Sequence, residues 1–364
     1  MDYVVTTATD DDLDQIAALE STLIDAGPRQ SRRYLRWKYW ENPLITSPLI
    51  FVVRLGREIV GMRGMYGTSW TLGPGYDPTV FPHADDLVID PDHRNRGLFL
   101  LIHRAMVAEA RQRGFGAILS LSGVTATQEL SLVCGYRALG DLDGLHRPTT
   151  TNPSVLRRGE GRIMRTVRTR GGWSPAFAWG TTVNGFCRRL ASSSHDGHIE
   201  ISATADLASM SSLAARVEPE RLRADRGEAF LRWRLANPDH IYRFVYWRDT
   251  VLRGYLVLSW DVMRPHRVTI AEIAADADDV VADLVGALGH PTDREYTIMS
   301  ATLSDAQERI IRSAGFVVDP ETTNEARRQF LYLPLTQDSP FEPPSDDAEF
   351  RSRWSVSSLD IMTA

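Results

Sequence analysis

The chain has 364 residues, 43% of them hydrophobic, and a formal net charge of −6. The length favours two or three domains, and the hydrophobic content excludes a disordered chain. The negative charge gives no reason to expect nucleic acid as a partner. The two cysteines, Cys134 and Cys187, are too few for a disulfide scaffold and lack metal-ligand spacing.

The N-terminal residues contain no basic stretch followed by an apolar core, so they do not resemble a signal peptide. No apolar run is long enough to span a membrane. We therefore expect a cytoplasmic protein with no membrane partner and no metal site.

The N-terminal part of the chain predicts a strand, two helices and two further strands. Asp10 to Asp12 cap the first helix, because acidic side chains suit a helix N-terminus. Gly61, Gly64 and Gly67 in the last strand indicate bulges or the close approach of another element. The expected ranges are 3–9, 10–23, 31–40, 49–55 and 59–72.

A strand over 80–90, a turn and a helix over 98–113 form the most informative stretch. The alternating apolar residues Leu87 and Ile89 favour the strand. The turn over 94–97 leaves backbone N–H groups at the start of the helix, where the helix dipole also suits a phosphate. Its glycine lets a ligand approach the backbone closely.

A further strand over 117–121 and a short helix over 125–134 complete the first half. Gly135 is a suitable C-cap for that helix, and Tyr136 follows it directly.

The turn that ends at Gly97 resembles the acetyl-CoA pyrophosphate loop of the GCN5-related N-acetyltransferases, the GNAT superfamily. That loop is usually written Arg/Gln-x-x-Gly-x-Gly/Ala, and the chain matches it at Arg94 and Gly97. Phe99 stands where the family has a small residue, and the Gly135–Tyr136 pair adds to the resemblance. The resemblance implies an α/β (α+β) fold, with a mixed, bent, mostly antiparallel sheet flanked by helices.

The resemblance also implies acetyl-CoA, or another acyl-CoA, as the cosubstrate. A primary amine of a small molecule would attack the thioester directly in a ternary complex. The family separates the strand before the loop from its neighbour, so that pantetheine pairs with the exposed edge. Val88 and Ile89 are then expected to polarise the thioester carbonyl with a backbone N–H. The expected cofactor-binding residues are Leu87, Val88, Ile89, Arg94, Asn95, Arg96, Gly97, Leu98 and Phe99.

Candidates for the general base lie on the strand before the loop. His83 and Asp85 share one face at period two, whereas Asp86 points away unless a bulge reverses the parity. His83 falls about where GCN5-type members place a glutamate base, and histidine has a suitable pKa. Asp85 could orient His83 or act through a water. The competing interpretation is that His83 and Asp85 are surface residues without a catalytic role.

The candidate general acid is Ser131, four residues before Gly135, where many family members have a tyrosine. Serine is a poor acid, although its hydroxyl can hydrogen-bond a sulfur or a water. The thiolate then leaves unaided, or another residue such as Tyr66 reaches it, or the chain has different chemistry or none.

An internal repeat predicts a second domain of the same kind. The sequence YLRWKYWENP at 34–43 recurs as FLRWRLANP at 230–238, and two strand-like runs follow each copy. After the second copy, residues 275–279 contain three aspartates but no glycine or arginine, and this charge would repel a pyrophosphate. We expect one cofactor site and a degenerate second domain that is structural or forms a wall of the acceptor site. Its later strands are expected over 268–274, 296–301 and 330–333.

The predicted organisation has four parts. They are an N-terminal GNAT domain over 1–148, a basic linker or helical segment over 149–197, a degenerate GNAT-like domain over 198–335 and an acidic, proline-rich tail over 336–364. The basic segment is either a solvated linker or a strip for an anionic acceptor or the CoA 3′-phosphate.

Lysine is almost absent from the chain, since Lys38 is the only lysine among 41 basic residues. A GC-rich genome explains such a bias, because most arginine codons are GC-rich. The alternative is an acyl-transferring enzyme that avoids acylating itself, since arginine stays protonated and non-nucleophilic.

Two other functions stay open. The Fem aminoacyltransferases also pair two GNAT-like domains but use aminoacyl-tRNA. The loop from Arg94 to Gly97 and the missing long helical arm argue against them. A non-catalytic acyl-CoA-binding protein is compatible with Phe99 and with the absent tyrosine. The chain could form a homodimer, and its sequence does not identify the acceptor.

Overall fold

The computed structural model describes most of both predicted halves. The described residues are 2–21, 28–71, 77–121, 123–148, 198–218, 220–261, 267–289, 295–319, 328–337, 341 and 343–361. The predicted basic segment over 149–197 lies outside them. Within the described ranges no helix is both long and apolar enough to cross a membrane.

The first sheet is mixed, and the described residues contribute nine strands to it. They are β1 (Tyr3–Thr7), β2 (Leu49–Leu55), β3 (Glu58–Thr71), β4 (Thr79–Ile89), β5 (Ala117–Ser120), β6 (Arg137–Asp141), β9 (Leu222–Ala224), β15 (Gln329–Pro334) and β16 (Trp354–Ser355). The main order is β1-β2-β3-β4-β5-β15-β6, with β9 beside the end of β3 and β16 beside β9. Strands β1 to β4 are antiparallel neighbours, and β4 and β5 are parallel.

The second sheet is also mixed, with seven strands in the ranges given above. They are β7 (Gly144–Arg147), β8 (Ile199–Ser202), β10 (His240–Arg248), β11 (Leu252–Asp261), β12 (Arg267–Ala275), β13 (Glu295–Met299) and β14 (Val317–Val318). Their order is β8-β10-β11-β12-β13-β7-β14, and β12 and β13 are parallel.

The two sheets share one strand order and exchange one strand. In the first sheet, β15 from the C-terminal half lies between β5 and β6. In the second sheet, β7 from the N-terminal half lies between β13 and β14. Neither sheet is therefore complete without the other half of the chain. The predicted domain boundaries at residues 148 and 335 stay predictions. Both exchanged strands end close to these boundaries.

Helices flank both sheets. They are α1 (Leu13–Glu20), α2 (Pro28–Leu35), α3 (Leu98–Gln112), α4 (Thr125–Val133), α5 (Leu207–Arg216), α6 (Glu228–Arg234), α7 (Asp278–Gly286), α8 (Asp305–Ser313) and α9 (Asp347–Arg353). The apolar stripe of α3, with Ile102 and Met106, is buried in one core with Phe51 and Val53 of β2. The predicted fold class, two mixed and mostly antiparallel sheets flanked by helices, is confirmed.

The first two helices differ from their predicted ranges at the ends. Asp10–Asp12 forms a single 3₁₀ turn, because the Asp12 carboxylate accepts the backbone N–H of Thr9 and closes a capping box there. The second helix continues through Arg36–Trp40 as a π-helical turn. Such turns are rare and frequently lie at functional sites.

The described part of the predicted tail is packed into the protein. Phe350 and Trp354 are fully buried in one core with Trp70 of β3. Arg226, itself buried, pairs with both Glu272 of β12 and Asp360 of the tail. The segment therefore joins the two halves through apolar contacts and a buried ionic network.

Candidate functional site

The loop before α3 has the backbone geometry of an anion-binding turn. Gly97 is the N-cap of α3 at φ 75°, and Asn95 also lies in the left-handed region at φ 60°. Among the described residues, no heavy atom beyond the adjoining backbone lies within 4 Å of the position that a Cβ on Gly97 would take. The first N–H groups of a helix, here those of Leu98 and Phe99, have no intrahelical acceptor. The loop therefore presents backbone donors beside open space.

One exposed arginine ties this loop to the strand before it, and a second bonds within the loop. The Arg94 Nε–H donates to the Ile89 carbonyl oxygen at 3.1 Å, and the Arg96 Nη2–H donates to the Asp92 carbonyl oxygen at 3.1 Å. The Asp90 carboxylate accepts the Asp92 N–H at 2.8 Å. These bonds fix the loop conformation without any ligand.

The strands β4 and β5 separate at the level of this site. They pair in register only at His83 and Leu119, whereas β12 and β13 pair at four positions in the part of the chain that the structure describes. The Asp90 N–H donates to the Val60 carbonyl of β3 at 3.0 Å. Because donors alternate between the two edges of an antiparallel strand, the Ile89 N–H points to the other edge, which β5 has left.

A β-bulge in β4 changes which side chains share a face. The registered pairs are Met62 with Val88 and Gly64 with Asp85, so one residue of β3 opposes two residues of β4. Asp86, inside the bulge, has a left-handed backbone at φ 48°. The parity is reversed there, and the carboxylates of Asp85 and Asp86 lie on the same side of the sheet.

Lys38 lies between these two carboxylates. Its Nζ donates to Asp85 at 2.8 Å, to Asp86 at 2.7 Å and to the Tyr34 hydroxyl at 2.9 Å. The Lys38 side chain is completely buried, and the Tyr39 hydroxyl also donates to Asp86 at 2.8 Å. The π-helical turn thus delivers the only lysine of the chain to the bulge.

The glycine at position 64 makes room for this turn. A Cβ on Gly64 would overlap the ring of Tyr39. The predicted close approach at this glycine is therefore present, and it brings the π-helical turn against β3.

Charge is shared unevenly in this buried cluster. Burial opposes the charged form of Asp85, but the adjacent Lys38 ammonium holds the pKa of this carboxyl below its ordinary value. Burial and the neighbouring Asp85 charge raise the pKa of Asp86. Burial and the Asp86 charge also raise the pKa of Glu20, whose Oε2 has no hydrogen-bond partner among the described residues. Asp85 is therefore the carboxylate that stays ionised most readily.

His83 lies in the interior next to this cluster, rather than at the surface. It is 1% exposed and stacks on Tyr66, with the ring centroids 4.9 Å apart. Neither ring nitrogen has a hydrogen-bond partner in the described ranges. Burial lowers the pKa of His83 to about 4, so the imidazole is neutral at pH 7.

Neither acid candidate has a free hydroxyl hydrogen. The buried Ser131 donates its hydroxyl to the Thr127 carbonyl of its own helix at 2.7 Å. The Tyr66 hydroxyl donates to the Asp360 carbonyl oxygen of the tail at 3.0 Å. Each hydroxyl would have to give up this bond to serve as a proton donor.

The described residues contain no group of three or more His, Cys, Asp or Glu side chains arranged to hold a metal ion. The carboxylates of the bulge instead face the Lys38 ammonium.

Comparisons with solved structures identify the fold. A GCN5-related N-acetyltransferase from Anabaena variabilis ATCC 29413 matches 92% of this chain and 73% of its own, with a TM-score of 0.62 at 12% identity. A conserved protein of unknown function from Enterococcus faecalis V583, titled a probable N-acyltransferase, matches 94% and 75% of the two chains, with a TM-score of 0.64 at 8% identity. The chain has the GNAT fold. A GCN5-related N-acetyltransferase from Kribbella flavida matches 92% and 72% of the two chains, with a TM-score of 0.53 at 14% identity.

Comparison of the whole sequence with known families and proteins does not reach this result. No protein-family model matches the chain, and no curated protein matches it either. The GNAT fold is therefore shown by structure at low identity, and the reaction is a separate question.

Within the GNAT fold, β4 divides the predicted site into two sides. Leu87 and Ile89 are packed with α3 and the loop, whereas Val88 lies in the core that contains Tyr34 and Trp37. The loop and Ile89 thus lie on one side, and Asp85 with Lys38 on the other. The residues on the loop side fit an acyl-CoA, because a left-handed glycine with open space at a helix N-terminus suits a pyrophosphate.

The second sheet has no such loop after its corresponding strand. Helix α7 begins after Ala277, whose φ is −155°, and its first turn carries Asp278 and Asp279. Acidic side chains at this helix N-terminus occupy the place that suits an anion. This contrast agrees with the predicted difference between the two halves.

Sequence reasoning missed two buried cations of the site. The sequence marks Lys38 as the only lysine but does not predict its position beside Asp85. No motif marks Arg63 of β3. The signal for Lys38 was its place in the repeat, one residue after a tryptophan. The signal for Arg63 was a charged residue within a glycine-rich strand.

Proposed function

We propose that the chain is an acyl-CoA-dependent N-acyltransferase that acts on a primary amine of a small molecule. The observation that carries this proposal is the separation of β4 from β5 directly before a left-handed glycine that begins α3. The GNAT fold supports the acyl-transfer class. A backbone edge and a phosphate-binding turn on one side of β4 fit pantetheine and pyrophosphate, respectively.

Backbone groups would hold the cosubstrate. The N–H groups of Gly97, Leu98 and Phe99 bind the pyrophosphate, and Arg94 and Arg96 add positive charge around it. The Ile89 N–H polarises the thioester carbonyl, because it points to the edge that β5 leaves open. Val88, the other predicted donor, directs its N–H toward β3 instead.

Asp85 would accept the proton of the attacking amine. Its side chain is 18% exposed, against 7% for Asp86, and Lys38 keeps it ionised. The acceptor would therefore approach from the side of β4 that carries Lys38. A positioned general base contributes about 10²- to 10⁴-fold to the rate, and Asp85 belongs at the lower end of this range because its lowered pKa makes it a weak proton acceptor.

The first test is calorimetric titration of acetyl-CoA into the wild type, Gly97→Asp and Gly114→Asp. Gly114, just beyond the other end of α3, has φ 77°, and in the described part of the chain its Cβ position is equally open. The two substitutions therefore introduce the same backbone strain and the same charge. We expect micromolar binding by the wild type and by Gly114→Asp, and at least about tenfold weaker binding by Gly97→Asp.

No binding by the wild type would refute the acyl-CoA proposal for acetyl-CoA and lead to longer acyl chains and then to aminoacyl-tRNA, the Fem-like alternative. Equal losses in both glycine variants would show a stability effect instead of a binding site. Where binding is established, a panel of small-molecule amines with detection of released thiol tests transfer.

A non-catalytic acyl-CoA-binding protein is the second candidate. The observation in its favour is Ser131, which replaces the family's tyrosine and donates its hydroxyl to Thr127. Acetyl-CoA binding without thiol release across the amine panel would favour this candidate.

A further inference from the structure

Arg63 is a buried cation with unused donors. It belongs to β3 and is 1% exposed, and neither its Nε–H nor its Nη1–H has a hydrogen-bond partner among the described residues. Removing a guanidinium from water without pairing it is strongly unfavourable. Such a side chain is therefore expected to meet an anion that the ligand-free protein does not supply.

The side chains that lie nearest to Arg63 are aromatic. Its guanidinium carbon lies 5.3 Å from the centre of the Phe99 ring, and Phe99 stacks on His103 at 6.0 Å with an interplanar angle of 1°. Burial and the Arg63 charge lower the pKa of His103 to about 4, so this imidazole is neutral at pH 7. The buried Tyr136 packs against His103 at 5.8 Å, and burial raises the pKa of its hydroxyl.

Two further groups complete the surroundings from α3 and the end of α4. Burial raises the pKa of the Cys134 thiol, and the nearby Arg63 and Arg104 charges act against this rise. Arg104 is an exposed residue of α3. Arg63 is thus a buried positive charge between α3 and α4, and among the described residues no carboxylate forms an ion pair with it.

The position of Arg63 relates it to the cosubstrate path. It is the residue of β3 that faces the bulge, between the pairs Met62 with Val88 and Gly64 with Asp85. Its side chain lies on the α3 side of the sheet, as its contact with Phe99 shows. This is the side and the level at which β4 has left β5.

We propose that Arg63 binds the CoA thiolate as it leaves, in place of the tyrosine acid that many GNAT members have at the position of Ser131. This proposal rests on the proposed function. In the transfer step the amine nitrogen forms a bond to the acyl carbon, and the carbon–sulfur bond breaks with its electron pair on sulfur. The amine proton goes to Asp85, and Arg63 stabilises the sulfur charge without donating a proton.

The chain differs from the family pattern at two positions, and this proposal gives the two differences a common explanation. Ser131 removes a tyrosine that would donate to the sulfur, and Phe99 replaces a small residue at the first turn of α3. The Phe99 ring supplies the face on which the Arg63 guanidinium lies, a contact that favours a desolvated cation. One substitution thus removes the acid, and the other helps to hold a cation.

The test measures the ionisation of bound CoA, which needs no acceptor and no turnover. CoA is added to a Cys134→Ala background, and the ultraviolet absorbance of its thiolate is followed against pH, with ligand-free protein subtracted. An opposite charge within hydrogen-bonding range lowers a pKa by about one to three units from the usual thiol value near 8.5. We expect this lowering with Arg63 and its loss in Arg63→Met.

Arg104→Met is the matched control, because Arg104 is an arginine close to the same cysteine but exposed. It should keep the lowered thiol pKa, and so should Arg63→Lys, which preserves the charge. The analogue of CoA without sulfur should bind wild type and Arg63→Met equally, whereas CoA at high pH should bind the wild type more tightly.

An unchanged thiol pKa in Arg63→Met would overturn the proposal. So would a large fall in the thermal midpoint of ligand-free Arg63→Met, since an unpaired buried charge should not be needed for folding. Failure of CoA to bind the wild type refutes the proposed function itself, and this inference with it. The two failures are therefore distinct.

Discussion

Trp37 and Trp233 stack on each other between the two halves of the chain, with ring centroids 5.2 Å apart and an interplanar angle of 17°. Each indole N–H donates to the backbone carbonyl of the other tryptophan, and both distances are 2.7 Å. The two residues occupy the same place in the two copies of the repeat. The repeat therefore builds a nearly symmetric contact between the halves.

The residue after each tryptophan is a buried cation with a different task. Lys38 binds the carboxylates of the bulge, whereas Arg234 donates to the carbonyl oxygens of Leu359 and Ile361 in the tail. One copy of the repeat thus serves the candidate site, and the other anchors the tail.

The tryptophan pair is expected to stabilise the association of the halves. Trp37→Phe and Trp233→Phe should each lower the free energy of unfolding by about 1–3 kcal/mol, because each removes a buried hydrogen bond to a carbonyl of the other half and part of the stacked ring. In a double-mutant cycle measured by denaturant unfolding, the two losses should not add, since the rings touch. Trp40→Phe, a half-buried tryptophan of the same turn, is the control and should have a smaller effect. Additive losses would contradict a coupled pair.

Lys38 is expected to be essential for folding at neutral pH. Lys38→Met leaves Asp85 and Asp86 buried without a counter-charge, and should lower the free energy of unfolding by about 3–5 kcal/mol. The deficit should shrink as the pH falls, because protonation of the two carboxyls removes their repulsion. Denaturant unfolding at several pH values measures this. Adding Asp85→Asn and Asp86→Asn to Lys38→Met should restore much of the loss, and no recovery would contradict the ion-pair explanation.

Local pattern was enough to predict the elements around the site. The strand expected over 49–55 is Leu49–Leu55, and the helix expected over 98–113 is Leu98–Gln112. Period-two and helical spacing of apolar residues determine such elements locally. The family resemblance at Gly97 likewise depends on a few adjacent residues.

Long-range features of the fold could not be predicted in this way. The residues 329–334 have the sequence pattern of a strand in either sheet. The exchange of this strand with β7 is therefore not visible in the local sequence. The bulge at Asp86 depends on one extra residue in β4, and the sequence left its presence open. The composition of the tail predicts an extension from the protein. In the structure, the spacing of Phe350 and Trp354 instead lets both side chains reach a core built by distant strands.

His83 should make the protein less stable in acid. Its pKa is about 4 in the folded protein and 6.5 ordinarily, so the unfolded chain binds its proton first as the pH falls. The stability from the neutral imidazole is present above pH 6.5 and is lost progressively between pH 6.5 and about 4. At about 1.4 kcal/mol per unit, the loss amounts to roughly 3 kcal/mol.

The substitution His83→Phe keeps the ring stacked on Tyr66 but cannot titrate. It should therefore flatten this part of the stability profile, measured by denaturant unfolding at pH 7, 5.5 and 4.5, whereas His83→Asn removes titration and the stacked ring together. A wild-type profile that matches His83→Phe at every pH would show that His83 does not resist protonation.

Asp85 and Asp86 provide an internal comparison for the base, since both carboxylates bind Lys38. Asp85→Asn should lower kcat about 10²-fold and leave acetyl-CoA affinity unchanged, because it removes the proton acceptor but keeps an oxygen that can accept from Lys38. Asp86→Asn should mainly change stability, since Asp86 is the more buried carboxyl and its pKa is already raised. Steady-state thiol release with the best amine of the panel, together with calorimetric binding of acetyl-CoA, distinguishes the two effects. Equal losses of kcat in both variants would mean that the cluster positions the acceptor as a unit and that Asp85 has no separate role as base.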